Sequence, residues 1–171
     1  TLYLDTPDPG ITTIDVGTAS TYEISTSLED NTTYYWKIKA TDAAGLSVEN
    51  TNGYESFRVN TENDLPAQFS LLAPENTSMV TDLTPTLLWD EPTDADDRTS
   101  RSIESYSVYI ATDNSFDDIE PNVVTTNSHT PSSNLTEDVL YYWKVVATDD
   151  DGGETTSATW SFWTNSQNSA P

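Results

Sequence analysis

Residues 141–147 read Tyr-Tyr-Trp-Lys-Val-Val-Ala, and residues 34–40 read Tyr-Tyr-Trp-Lys-Ile-Lys-Ala. Their apolar positions recur every second residue. That is the period of a β-strand, whose side chains point alternately to its two faces. Tyr141, Trp143, Val145 and Ala147 therefore share one face, with Lys144 on the other. Tyr34, Trp36, Ile38 and Ala40 face inward in the same way, with Lys37 and Lys39 outward. Tyr106, Val108 and Ile110 alternate with Ser107 and Tyr109 in a further run.

The two Tyr-Tyr-Trp-Lys strands anchor an internal repeat. Leu28 precedes Tyr34 as Leu135 precedes Tyr141. Ala40-Thr41-Asp42 answers Ala147-Thr148-Asp149, and Ser56-Phe57 answers Ser161-Phe162. Asn60 to Pro66 answers Asn165 to Pro171. The strand copies lie 107 residues apart and the linkers 105 apart. The first copy thus carries two extra residues in its second half, expected in a loop. Leu2-Tyr3-Leu4 answers Val108-Tyr109-Ile110. The expected domains are residues 1–66, the back part of one module with its linker, and residues 67–171, a complete module of 105 residues with its linker. Unit 1 lacks about 40 residues of front strands relative to unit 2. It should need covering by an upstream segment or by a neighbouring chain.

For residues 67–171 the pattern predicts seven strands, near 68–72, 86–89, 106–112, 122–126, 128–131, 140–148 and 156–164, with no helix. Seven short strands in about 100 residues fit an immunoglobulin-like sandwich. Pro85-Thr86-Leu87-Leu88-Trp89 resembles the second-strand Trp region of fibronectin type III modules. Leu135 with Tyr141 resembles their tyrosine corner, in which the Tyr hydroxyl ties down the loop before the sixth strand. The whole second unit is similar to modules repeated along bacterial surface and secreted proteins. The usual Asp-Pro-Asp-Gly-Asp turn after the Trp strand is here Asp94-Ala95-Asp96-Asp97-Arg98. The fold class expected is all-β: tandem immunoglobulin-like (fibronectin type III) sandwiches, the first incomplete.

Composition narrows the function. The chain has 171 residues, 29 Asp and Glu against 6 Lys and Arg, a net charge of −23 and no Cys. Disulfides and Cys-based zinc sites are excluded. So acidic a surface repels nucleic acid. No apolar run is long enough for a membrane helix, so no membrane insertion is expected. Five Trp, nine Tyr and four Phe supply the apolar area that disordered acidic chains lack.

Chemistry has little material. His129 is the one His, and its neighbour Ser128 points to the opposite strand face, so no catalytic site and no enzyme is expected. Trp36, Trp89 and Trp143 read as core. Trp163 lies on the opposite face of its strand from Trp160 and Phe162, and Arg58 stands at its position in unit 1. It is expected to cover the outer sheet face; the alternative is a ligand platform.

The acidic loops carry more. Asp94, Asp96 and Asp97 follow the Trp89 strand, and Asp149, Asp150 and Asp151 follow the sixth strand. The sandwich topology puts both loops at one end, where the linker with Glu62 and Asp64 arrives. Converging carboxylates repel unless a cation neutralises them, and calcium takes six to eight oxygens from flexible loops. The leading reading of these loops is a set of solvated acidic turns. The alternative is a calcium-rigidified joint using these eight residues.

The leading functional expectation is a non-catalytic structural or adhesive module of an extracellular or cell-surface protein. Its partners would be neighbouring modules of the same parent, identical chains, or surface glycans or proteins. The alternative is an accessory spacer or weak glycan-binding module of a secreted polysaccharide-degrading enzyme.

Overall fold

The computed structural model describes residues 1–5, 12–96 and 103–166. The sequence expectations for Asp97, Arg98 and the last linker residues from Gln167 onward lie outside these. The chain divides into two compact units, Thr1–Glu62 and Asn63–Pro171. The division falls ahead of Pro66 because Asn63 and Pro66 already bond to unit 2, through Asp149 and Thr155.

In unit 1, β1 (Leu2–Asp5), β2 (Thr13–Ile14), β3 (Thr32–Thr41), β4 (Ser47–Glu49) and β5 (Glu55–Val59) form one sheet, with β3 paired to β1, β4 and β5. Leu2, Leu4, Tyr22, Ile24, Trp36, Ile38 and Phe57 line an open cavity of about 210 Å³ on its apolar side. Ile38 is 43% exposed and Trp36 only half-buried. Every residue of the described buried core belongs to unit 2. The expectation of an uncovered first unit holds, and the reading of Trp36 as core is corrected to half-buried. At the linker end, the Asp30 carboxylate accepts hydrogen bonds from the Thr61 N–H at 2.6 Å and the Thr61 hydroxyl at 3.2 Å.

Unit 2 holds two layers, antiparallel except for the parallel pair of β14 and β7. One sheet runs β10 (Asn122–Val124), β9 (Ile103–Ala111), β12 (Leu140–Asp149), β14 (Trp160–Thr164) and β7 (Ser78–Val80), with β13 (Glu154–Thr156) also on β12. The other runs β11 (Ser128–His129), β8 (Leu87–Trp89) and β6 (Leu71–Ala73). Trp89 and Trp143 are wholly buried between the layers, together with Leu87, Val108, Val145 and Phe162. Burying aromatic rings of this size dominates the stability of a disulfide-free sandwich.

Among the described residues of unit 2, nine strands stand where seven were expected. β7 was missed, and the last predicted strand is two. Thr155 and Ser157 are buried in the first part, Phe162 and Thr164 in the second. The inward parity therefore changes between them, across the break at 157–159. Ser157 bridges that break: its N–H donates to the Val145 carbonyl and its hydroxyl accepts the Val145 N–H.

The ladders confirm the repeat residue by residue. Tyr3 lies opposite Lys37 and Tyr109 opposite Lys144. Tyr34 pairs with Phe57 as Tyr141 pairs with Phe162. The rings stack in both units, at 5.7 Å and 6.0 Å between centroids. Each lysine ammonium sits over the ring opposite it, 4.9 Å from Tyr3 in unit 1 and 5.1 Å from Tyr109 in unit 2, a cation–π contact. The two extra residues of unit 1 lie between β4 and β5, in the turn Asn50–Tyr54, where the Asn50 side chain donates to the Gly53 carbonyl.

Candidate functional site

Three segments of unit 2 meet at the end of the sandwich where Trp89 and β12 run out. The first is Asn63-Asp64, the second Asp94-Ala95-Asp96, the third the turn from Asp149 to Gly153. Asp149 holds the third together. Its Oδ1 accepts the N–H groups of Asp151 at 3.0 Å and Gly153 at 2.7 Å, and its Oδ2 accepts the Asn63 amide at 3.2 Å. It is 2% exposed. Asp94 closes the second segment by accepting the Asp96 N–H at 2.8 Å. Asp96 then reaches the first segment, where its Oδ2 accepts the Asp64 N–H.

Two carboxylate oxygens are left over. Asp96 Oδ1 and Asp94 Oδ2 are buried without a hydrogen-bond partner. Burial pushes the Asp94 carboxyl above the usual carboxylate range. The Asp96 N–H works against this, while the charges of Asp149, Asp96 and Asp150 add to it.

The eight residues of the candidate calcium set are therefore not all alike. Asp64, Asp94, Asp96 and Asp149 are brought together. Asp150 and Asp151 are exposed on the same turn. Glu62 is exposed and belongs to unit 1, and Asp97 lies outside the described residues. Among the described residues, no three His, Cys, Asp or Glu side chains already form a metal cage. Sequence reading missed Asn63, whose neutral amide ties the first segment to Asp149. Its only signal was its place in the linker.

Trp163 is 44% exposed. It lies opposite Leu140 on β12 and Met79 on β7, and Met79 is also exposed. His129 sits on β11 opposite Leu87. Burial lowers its pKa below the usual 6.5, and no Ser or carboxylate is bonded to it in the described contacts.

Residues 70–167, more than half of the chain, match the family described as Rha78A-like, N-terminal immunoglobulin domain. The chain belongs to that family. The match spans nearly all of unit 2, from before β6 to beyond β14, and so includes both acidic loops of this immunoglobulin-like domain. No curated protein sequence matches the chain. Among solved structures, the domain is similar to the fibronectin type-III domain of human fibronectin type III domain containing protein 3. Identity there is 18% over 65% of this chain and 98% of that one, with a TM-score of 0.44. A Streptomyces avermitilis alpha-L-rhamnosidase complexed with L-rhamnose matches at 19% identity over 59% of this chain and 10% of that one, with a TM-score of 0.40. Titin domains A168–A170 match at 16% identity over 93% and 52%, with a TM-score of 0.40.

Proposed function

We propose that this chain is a pair of non-catalytic immunoglobulin-like modules that space and present other parts of a larger extracellular protein. The observation that carries this reading is the fate of the repeated aromatics in unit 2. Trp89, Trp143 and Phe162 are wholly buried, so the residues that define the repeat serve packing and leave no aromatic-lined cleft between the layers. The isolated His129 gives no nucleophile–base pair. Partners of such modules are neighbouring modules of the same parent or identical chains, and the open face of unit 1 is where one would add. The net charge of −23 keeps such chains apart in solution. Small-angle scattering on a longer stretch of the parent protein tests this. Spacer modules give an elongated particle that lengthens with each module added, and a compact particle of fixed length opposes the reading.

A second reading is an accessory module of a secreted glycan-degrading enzyme. The family description favours it, because it places such domains at the N-terminus of Rha78A-like proteins. Exposed Trp163, beside exposed Met79, is its candidate glycan platform. A pull-down on insoluble polysaccharide separates the readings. Binding that is lost in Trp163→Ala supports the second, and no retention on any polysaccharide supports the first.

A further inference from the structure

We infer that Asp94 and Asp96 form a calcium site inside unit 2, a site completed by main-chain and water oxygens. The argument begins with burial. Asp96 is 7% exposed, and its Oδ1 has no partner although its Oδ2 is fully used by the Asp64 N–H. A buried carboxylate oxygen without a partner is costly unless something positive faces it. Asp94 Oδ2 is in the same condition, on a residue joined to Asp96 by the 2.8 Å bond.

No protein cation answers these charges among the described residues. Lys144 is the one described Lys or Arg of unit 2, and its ammonium lies over Tyr109 and Phe116 on the outer sheet face. The negative field is reinforced from the third segment, because Asp149 and Asp150 both act on Asp94. The segments are pinned in position. Asn63 and the N–H groups of Asp151 and Gly153 fix Asp149, and Asp64 fixes Asp96. Two fixed carboxylates with open oxygens thus stand at the junction of three turns.

The donor set selects the ion. Both open atoms are hard carboxylate oxygens, with no imidazole or thiolate beside them in the described segments, which disfavours zinc. Magnesium demands near-ideal octahedral geometry, whereas calcium accepts irregular sets completed by carbonyls and waters. A two-carboxylate site of this kind belongs to the weak range, with dissociation constants of about 0.1–1 mM.

The test is thermal unfolding of the whole chain in calcium chloride, magnesium chloride and sodium chloride at equal ionic strength, each against a chelator. Equal ionic strength removes general screening of the −23 charge. We expect a calcium-specific rise in Tm on the order of 5 °C. Asp96→Asn, which keeps an oxygen for the Asp64 N–H, and Asp94→Asn, which keeps one for the Asp96 N–H, should each abolish the rise. Both should also melt at or above the wild-type temperature in chelator, because each removes an unanswered charge. Glu120→Gln, an exposed change of the same charge away from these loops, should retain the rise. A Tm equal in all three salts overturns the site, and so does a calcium rise that survives in both Asp variants.

Discussion

The hydroxyl of Tyr141 accepts a hydrogen bond from the main-chain N–H of Thr136 at 3.0 Å, and Tyr34 repeats the contact on Glu29 at 2.9 Å. The Tyr141 ring is buried and stacked on Phe162, whereas Tyr34 is only half-buried; Thr136 and Glu29 are both exposed. Tyr141→Phe removes a bond that the buried ring partly shelters, at a cost of about 1 kcal/mol. Tyr34→Phe lets water replace the lost acceptor and should cost less than half as much. Urea midpoints of the two variants, read from the transition of each unit, check the ratio. Equal losses would mean that the two corners are equally sheltered.

The open face of unit 1 corresponds to the face that β6 and β8 cover in unit 2. Leu2 stands at the position of Val108, so residues 67–106 are the segment that would precede Thr1 in a complete repeat. Fusing a copy of residues 67–106 ahead of Thr1 should bring a Trp over Trp36, as Trp89 lies within the core with Trp143. Binding of a hydrophobic dye should fall, and the unfolding transition of unit 1 should move up by several degrees, on the order of 5–10 °C. Unchanged dye binding would show that the cavity lined by Leu4, Trp36 and Phe57 is closed by other means.

Acid titration separates Asp94 from His129. The folded Asp94 pKa lies above 3.8. Between 3.8 and that value the folded state holds the proton more tightly, so its contribution to stability falls as pH rises through the window and stays lowered above it. Without calcium, Asp94→Asn should therefore stabilise the protein at neutral pH, with the advantage shrinking toward pH 3.8. His129 has the opposite sign. Its folded pKa lies below 6.5, so stability is lost as pH falls below 6.5 because the unfolded chain takes up the proton first. Melting curves of the wild type, Asp94→Asn and His129→Gln in chelator across about pH 3.5–7.5 resolve the two.

Gly153 admits no side chain. A Cβ there would lie 2.5 Å from Asp149 Oδ2, 2.7 Å from Asn63 Nδ2 and 2.8 Å from Leu65 Cδ2. Asp149 cannot retreat without releasing its bonds to Asp151 and Gly153. Gly153→Ala should cost about 1–3 kcal/mol, while an Ala change at the open position Gly45 is governed by its backbone φ of 86° alone. Denaturant unfolding of Gly153→Ala provides the comparison. A loss under about 0.5 kcal/mol would place it among ordinary surface substitutions and show that Asn63 swings clear.

The alternation of Trp143 with Lys144 and of Tyr109 with Val108 was legible because a half-buried strand writes its two faces into successive letters. The repeat carried that reading into unit 1 with the correct register. Ser78–Val80 was illegible for a physical reason. This short strand exists by parallel pairing with Phe162–Thr164, far away in sequence, after a turn in which Thr77 takes a φ of 63°. The break between β13 and β14 escaped because Ser157 and Thr155 are polar residues buried by hydrogen bonding, and hydrophobic patterning cannot see them. At the acidic end, the meeting of the two loops followed from topology. The sequence could not say which oxygens would be used up by N–H groups and which, on Asp94 and Asp96, would remain.

The turn Asn50–Tyr54 has one further consequence. Unit 1 carries two more residues there than unit 2, yet the ladders on both sides of it keep the same pairs. A repeat that has drifted in length at this point without losing register marks a place where foreign sequence can be accommodated. A short epitope grafted between Asn52 and Gly53 would be displayed from a bulge on the edge of β3, where Asn50 bonds to the main chain of Ile38. The connection is a natural handle for tethering the protein to a surface or a probe.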